Sequence, residues 1–408
     1  MLCWSAGAQE KAVSGSQVVT VPLIIDHNRV IIGVDLTLPD GTTKRVHAWV
    51  DNGNPDLYIS KRLATSVSCH GRICSGAPPA EMTIGGMTIP LGGRVPGSGI
   101  KEARVPLTSD GATSIAPGMD AEINIPSTVL RHYDVLIDFP ERKFSIGAPG
   151  TIHFRGPSGK VQVNAENGLI QIPSQIEKKK YTFALDLGAS ISFLSEELFD
   201  KLATANPDWP HMTGAVGPVN MWGADDEIKW RVMRLDRLQY GPLFLTDVAV
   251  VALPASGVAF LERPAGESAG GILGSSALLN YRIGLDYEHS MVYFEFGRMF
   301  SFPDFDVIGL TLRPQNDGRF TILGVADFEG KPSVASGPDG VQGGDQLVAV
   351  DNIPVGGSTL GQVWAMLGGT PGQERKLTVE REGRQFTVTA KVQHFLGELP
   401  DEDKRKKK

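Results

Sequence analysis

The chain has 408 residues, of which 41% are hydrophobic and 21% are charged, a composition typical of globular proteins. Its length predicts two to four domains, because one hydrophobic core rarely serves so many residues. The net charge of -7 gives no basic surface for nucleic acid, and no run approaches the ~18 apolar residues of a membrane-spanning helix. The 48 glycines and 27 prolines favour many short strands over long helices.

The first nine residues are similar to the end of a signal peptide, with small residues before a cleavage position after Ala8. The basic start and most of the apolar stretch of such a peptide are missing. Either the start codon is placed too far downstream or the match arises by chance. We expect residues 1–16 to be the remnant of a leader and the protein to be periplasmic or secreted.

Two cysteines point to the same location. Cys69 and Cys74 bracket four residues, a loop that is short and turn-prone enough to close as a disulfide in an oxidising compartment. Two free thiols are the alternative. The pair has no second pair of ligands nearby, so we expect no metal site, and nothing in the sequence calls for a cofactor.

An internal repeat runs through the first three quarters of the chain. Residues 46–54 and residues 181–189 are each an alternating strand that runs into Asp-x-Gly. Residues 130–139 and residues 278–287 form a second matching pair. Because the matching segments keep the same order, the sequence predicts two similar β-rich lobes, at residues 17–150 and 151–300.

Three short segments resemble the active-site elements of exported bacterial pepsin-like and retropepsin-like aspartic proteases: Asp51-Asn52-Gly53, Asp186-Leu187-Gly188 and Ile272-Leu273-Gly274. The resemblance covers about residues 18–298 and implies a mainly β, bilobal, pepsin-like fold. It also implies that Asp51 and Asp186 share one proton and activate a water that attacks a peptide bond of a protein or peptide substrate. Gly53 and Gly188 would let each backbone N–H reach a carboxylate.

The sequence departs from this family at several positions. Asn52 and Leu187 stand where the family has threonine or serine, whose hydroxyl bonds across the interface between the lobes. Pro126 replaces the first-lobe glycine that corresponds to Gly274, and residues 82–100 lack the tyrosine usual on the flap. Two functions therefore stay open: an aspartic endopeptidase, and a peptide-binding protein that has lost efficient catalysis.

Residues 301–395 are predicted to form a separate α/β module. Residues 343–352 resemble the central motif of PDZ domains, and a short amphipathic helix follows them. The resemblance implies that a peptide C-terminus binds beside the loop of Ile308, Gly309, Leu310 and Thr311, with its carboxylate held by backbone N–H groups. A packing role without a ligand is the alternative. The charged tail, residues 396–408, is predicted to be disordered.

Overall fold

The computed structural model of the chain describes residues 18–38, 41–60, 62–63, 69–70, 73–74, 81–91, 115–261, 268–299, 305–337 and 340–399. The predicted leader and most of the predicted tail lie outside these residues. The described chain is mainly β, as predicted. None of its described helices is long and apolar enough to cross a membrane, and its described His, Cys, Asp and Glu side chains form no group suited to a metal ion.

The described residues between 18 and 147, the first part of the chain, form strands of which several are joined by tight turns. His27 and Asn28 form one such turn with positive φ angles of 51° and 61°, the geometry that matches the twist of a two-residue hairpin. One short helix, α1 (Ser127–Leu130), follows the eighth strand. Its described strands are β1 (Val18–Asp26), β2 (Arg29–Thr37), β3 (Thr43–Asp51), β4 (Cys69–His70), β5 (Ile73–Cys74), β6 (Glu81–Ile84), β7 (Met87–Pro90), β8 (Ile123–Pro126), β9 (Asp134–Asp138) and β10 (Lys143–Gly147).

The second part, residues 158–296, has longer strands and one amphipathic helix, α2 (Glu196–Ala205). The hydroxyl of Ser195 accepts the N–H of Leu198 (3.4 Å) at the start of this helix. Single 3₁₀ turns lie at Gly217–Val219, Glu227–Lys229, Ala255–Val258 and Ser275–Ala277. Its described strands are β11 (Ser158–Lys160), β12 (Gln162–Val163), β13 (Ile170–Ile176), β14 (Lys179–Asp186), β15 (Ser192–Ser195), β16 (His211–Thr213), β17 (Arg231–Tyr240), β18 (Leu243–Leu253), β19 (Ser268–Gly274), β20 (Tyr281–Asp286) and β21 (Met291–Phe296).

The two parts meet in one continuous sheet that is antiparallel except for the parallel β3–β8 pair. Its order is β11-β21-β20-β9-β10-β1-β2-β3-β8, with β6 beside β2 and β7 beside β6, whereas β12 to β19 form a second sheet. Where β9 pairs with β20, Leu136 lies opposite Gly284 and Asp134 lies opposite Asp286. The strands belong to the second matching pair of the sequence repeat, and this register relates them by a local two-fold axis. Duplication of the whole lobes remains a prediction.

The C-terminal module packs against both other parts. The helix of the module, α3 (Leu360–Leu367), is capped by Thr359, whose hydroxyl accepts the N–H of Gln362 (3.0 Å). The same hydroxyl donates to Oδ1 of Asp26 at the end of β1 (2.7 Å) and so joins the module to the first part. The main sheet has the order β23-β24-β27-β29-β30. The described strands of the module are β22 (Asp306–Val307), β23 (Leu310–Pro314), β24 (Phe320–Val325), β25 (Asp327–Phe328), β26 (Lys331–Pro332), β27 (Gln346–Val350), β28 (Ile353–Pro354), β29 (Glu374–Arg381), β30 (Arg384–Lys391) and β31 (Gln393–His394).

Two large hydrophobic clusters form the interior. The first spans the first and second parts, and Phe144 and Phe294 are among its fully buried members. The second joins the second part to the C-terminal module, since Phe193 and Val216 belong to the same cluster as Leu312. The module therefore shares apolar packing with the second part, although the boundary predicted near residue 300 stays a prediction.

Candidate active site

The two Asp-x-Gly loops begin where two strands end. β3 ends at Asp51 and β14 ends at Asp186, and each strand pairs in parallel with another strand of its own part. In these pairs Asp51 lies opposite Pro126, and Asp186 lies opposite Gly274. Pro126 thus takes the place in the first part that Gly274 takes in the second. The parallel neighbour fixes the point at which each loop leaves its sheet.

The loops approach so closely that each glycine faces the carboxyl group of the other loop. A side chain on Gly53 would collide with the carboxyl group of Asp186. A Cβ on Gly188 would lie 2.5 Å from Oδ1 of Asp51, closer than real side chains approach. Glycine is required at both positions for steric reasons, and the structure brings Asp51 and Asp186 together at the meeting point of the two loops.

Asp186 is held mainly by its own loop. Its Oδ1 accepts the backbone N–H of Gly188 (2.8 Å) and that of Ala189 (3.0 Å). Burial raises the pKa of Asp186, while these two N–H groups oppose the rise because they stabilise the carboxylate. As a whole residue, Asp186 is less completely buried than Asp51.

Asp51 is the more deeply buried, with 2% of its surface exposed. Burial, followed by the charge of Asp186, raises its pKa well above the usual range. Hydrogen bonds from the Asn124 side chain and the Gly53 backbone oppose this rise. Its Oδ2 has no hydrogen-bond partner among the described residues. The environment therefore favours a neutral Asp51 beside an anionic Asp186.

Asn52 joins the loops in place of the missing hydroxyl groups. Its amide nitrogen donates to the carbonyl of Leu185 (2.7 Å), and its amide oxygen accepts the N–H of Leu187 (2.7 Å). Asn52 and Leu187 are both almost fully buried. The side chain of Leu187 packs in the first hydrophobic cluster and returns no such bond. The two loops are therefore cross-linked from one side only.

Two serines that the sequence analysis did not single out support the second loop. The hydroxyl of Ser275 donates to the carbonyl of Leu187 (2.7 Å), and the hydroxyl of Ser192 accepts the N–H of Gly274 (3.0 Å). Both serines are buried. Ser275 directly follows the predicted Gly274, so its neighbourhood in the sequence was the only signal for it.

Arg29, the first residue of β2, also lies at the site and was not predicted from the sequence. Only 2% of its surface is exposed. The terminal nitrogen Nη2 donates to the carbonyl of Met221 (3.1 Å). The guanidinium lies within electrostatic reach of both site aspartates, and its charge partly opposes the rise that burial causes in the pKa of Asp51 and in that of Asp186. The only sequence signal was an arginine placed directly before a long apolar strand.

The residues predicted to capture a peptide C-terminus lie in the interior. Ile308 and Leu310 are fully buried, and Thr311 is 1% exposed. The carbonyl of Gly309 accepts the N–H of Ala326 (2.9 Å) within the module. In this conformation these residues face other parts of the protein, and peptide capture remains a prediction.

Residues 215–223, which we name the covering segment, lie along β23. The hydroxyl of Thr311 donates to the carbonyl of Ala215 (3.0 Å). The side chain of Asn220 bonds both backbone groups of Leu312: its oxygen accepts the N–H (2.9 Å), and its nitrogen donates to the carbonyl (2.9 Å). Asn220 thus occupies the hydrogen-bonding edge of β23 as a neighbouring strand would.

The predicted disulfide can be followed only in the backbone. Cys69 and Cys74 lie directly opposite each other in the β4–β5 pair. Their side chains are outside the described part of the structure, so the bond itself stays a prediction.

Comparison with known proteins identifies one family. Residues 172–277 match the aspartyl protease family, a segment that contains Asp186 and Gly274 but not Asp51. Among solved structures, the fold is similar to an aspartic proteinase from Irpex lacteus, with a TM-score of 0.40 and 12% sequence identity, over 69% of this chain and 98% of that one. No curated protein matches the chain significantly. An aspartic-protease-like segment is therefore present in the second part.

Proposed function

We propose that the chain is an aspartic endopeptidase that hydrolyses peptide bonds with Asp51 and Asp186. The proposal rests on one observation: the buried carboxyl groups of Asp51 and Asp186 lie at the same point, each packed against the glycine of the opposite loop. Two adjacent carboxyl groups in a protein interior do not both ionise readily, so they hold one proton between them. The family match over residues 172–277 supports the same chemistry.

The environments of the two groups assign the roles. Asp51 holds the proton, because it is the more buried and its Oδ2 has no other partner in the described structure. Asp186 is the anion, because two N–H groups stabilise its Oδ1. The Asp186 carboxylate takes a proton from water as the water oxygen attacks the carbonyl carbon, and Asp51 donates its proton to the carbonyl oxygen. As the C–N bond of the tetrahedral diol breaks, Asp186 protonates the leaving nitrogen and Asp51 recovers a proton from the diol.

The test is cleavage of a mixed peptide library by the full chain across acidic to neutral pH, with and without pepstatin. We expect acid-favoured cleavage that is lost in Asp51→Asn and in Asp186→Asn. Asp56→Asn is the matched control, because Asp56 lies in the same region with an exposed side chain. Cleavage that persists in Asp186→Asn would overturn the assignment of the pair.

The alternative function is peptide binding without catalysis. It is favoured by Leu187, whose apolar side chain leaves the second loop without its own bond to the first. The same peptide library distinguishes the two proposals. Peptides that bind the intact chain, compete with pepstatin and are recovered uncut at every pH would support binding alone.

We also propose that the C-terminal module is PDZ-like and recruits peptide C-termini at the loop of residues 308–311. For this the covering segment must leave β23, because Asn220 already bonds both backbone groups of Leu312. Asn220→Ala should therefore bind a fluorescent peptide with a free C-terminus more tightly than the unaltered chain does. Equal binding of the amidated peptide would remove carboxylate capture from the proposal.

Export to the periplasm or the medium completes the proposal. It rests on the small residues before the cleavage position at Ala8 and on the opposed backbone positions of Cys69 and Cys74. A reporter fused after the first residues of the full reading frame should be exported and processed, and retention of the unprocessed fusion inside the cell would argue against it.

A further inference from the structure

Arg29 is an unusual residue to find in the interior. It follows the His27-Asn28 turn, so its backbone position at the start of β2 is fixed by the hairpin. Its Nε–H has no hydrogen-bond partner among the described residues. A buried guanidinium is costly unless negative charge lies near it, so its surroundings must be accounted for.

A short chain of contacts joins Arg29 to the aspartate pair. The guanidinium carbon lies 6.0 Å from the centre of the Trp49 ring. Cζ2 of Trp49 lies 3.0 Å from the point where a Cβ on Gly188 would stand, and Oδ1 of Asp51 lies 2.5 Å from the same point. Trp49 therefore lies close both to the Arg29 guanidinium and to the point where the two loops meet.

Four carboxyl groups and one imidazole surround the guanidinium. Besides the pair, they are Asp26 of β1, Glu227 of a 3₁₀ turn, and His27 of the hairpin turn. Burial and the charge of Arg29 lower the pKa of His27 well below its usual range, so the imidazole is neutral. Burial raises the pKa of Asp26 and that of Glu227, as it raises the pKa values of the aspartate pair.

Asp26 and Glu227 also have hydrogen-bond donors of their own. Asp26 accepts the hydroxyl of Thr359 (2.7 Å). Glu227 accepts the side-chain amide of Asn220 (2.6 Å) and the N–H of Trp222 (2.8 Å). Asp26 and Glu227 act on the guanidinium more strongly than the aspartate pair does, and the pair is the third carboxyl site that its charge reaches.

We infer that Arg29 is a positioning residue of the proposed protease, whose fixed positive charge keeps the Asp51–Asp186 pair singly ionised under acidic conditions. The inference rests on the proposed function for its catalytic consequence. Water activation needs one carboxylate, and a nearby cation stabilises that carboxylate against protonation. Arg29 thus shifts the pH range in which the pair is active toward lower pH.

The substitution that tests this is Arg29→Met, which has a similar length and no charge. Both limbs of the pH profile of kcat/KM should move upward by roughly one pH unit, so that activity on the acid side falls about tenfold. Arg29→Lys retains the charge and should restore most of the original profile. Arg29→Gln, which keeps a donor for the Met221 carbonyl, is measured in the same way if the methionine variant does not fold.

Arg234→Met is the matched control, because Arg234 is also buried (4% exposed) and bonds backbone carbonyls at residues 396 and 397 instead. It should lower stability without moving the profile. The readout that does not require activity is a ¹³C-carboxyl NMR titration of the full chain, in which removing the charge of Arg29 should raise the midpoints of Asp51 and Asp186. Unchanged midpoints in both neutral variants would overturn the inference, whether or not the chain cleaves peptides. Absence of cleavage with shifted midpoints would refute only the proposed protease.

Discussion

The one-sided cross-link by Asn52 makes a quantitative prediction. Asn52→Ala removes two buried hydrogen bonds of 2.7 Å and leaves the N–H of Leu187 and the carbonyl of Leu185 without them. Each buried group left unsatisfied costs about 1–3 kcal/mol, so the loop should lose about 2–4 kcal/mol after partial relaxation. This is a large share of the ~5–15 kcal/mol that stabilises a typical domain.

Hydrogen exchange measured by mass spectrometry on the segment around residues 181–190 reports this loss locally. Exchange of the Leu187 amide should accelerate by on the order of 100-fold, because each ~1.4 kcal/mol of opening free energy corresponds to a factor of ten. If the chain is a protease, kcat/KM should fall at least about tenfold, since the carboxyl groups lose their fixed spacing.

Asn316→Ala serves as the control, because Asn316 lies exposed in a turn of the C-terminal module. It should change neither the exchange around Leu187 nor the activity. Exchange in Asn52→Ala that stays within about twofold of the unaltered chain would refute the cross-link reasoning. It would mean that the serines and strand pairing alone hold the second loop.

Three further predictions follow from the described contacts. Asn220→Leu keeps a side chain that branches at Cγ but loses both bonds to β23 and the bond to Glu227, so stability should fall by about 2–4 kcal/mol and exchange in β23 should accelerate. Unchanged protection there would contradict a role for the covering segment. The raised pKa of Asp51 means that folding takes up protons. The free energy of unfolding should therefore decrease as the pH rises from the pKa of Asp51 in the unfolded chain to its pKa in the folded chain. Urea titrations of Asp51→Asn should show a free energy of unfolding that depends less on pH. Cys69 and Cys74 should be joined in protein from an oxidising compartment, and mass spectrometry that finds both thiols free there would count against export.

The parts of the site that the sequence could predict are those encoded by local pattern. An alternating strand that ends in Asp-x-Gly carries its own geometry, because the strand period and the small glycine together determine where the carboxyl group lies. The internal repeat placed one such aspartate in each copy, and the resemblance to aspartic proteases implied that Asp51 and Asp186 act as a pair. The structure adds a reason for Gly53 and Gly188 that local pattern does not contain, which is the close approach of the opposite carboxyl group.

Arg29 could not be predicted in this way. Its role depends on Met221 and on the aspartate pair, which meet it only through the packing of separate strands and turns. The same limit applies to β23. The sequence of β23 fits the expected module. The segment that covers this strand, however, comes from about 90 residues earlier in the chain. Neither the sequence nor the spacing marks Asn220 as a neighbour of β23.

Leu187 is the departure that most weakens the expectation of catalysis, and the structure changes its meaning. A hydroxyl at position 187 would have to replace an apolar side chain that is fully buried in the first hydrophobic cluster. Such a change removes packing and introduces a polar group that needs a partner. The backbone groups around Leu187 are already bonded, the N–H by Asn52 and the carbonyl by Ser275. Asn52 therefore joins the second loop to the first, Ser275 holds it to its own part of the chain, and Leu187 by itself does not exclude an active pair.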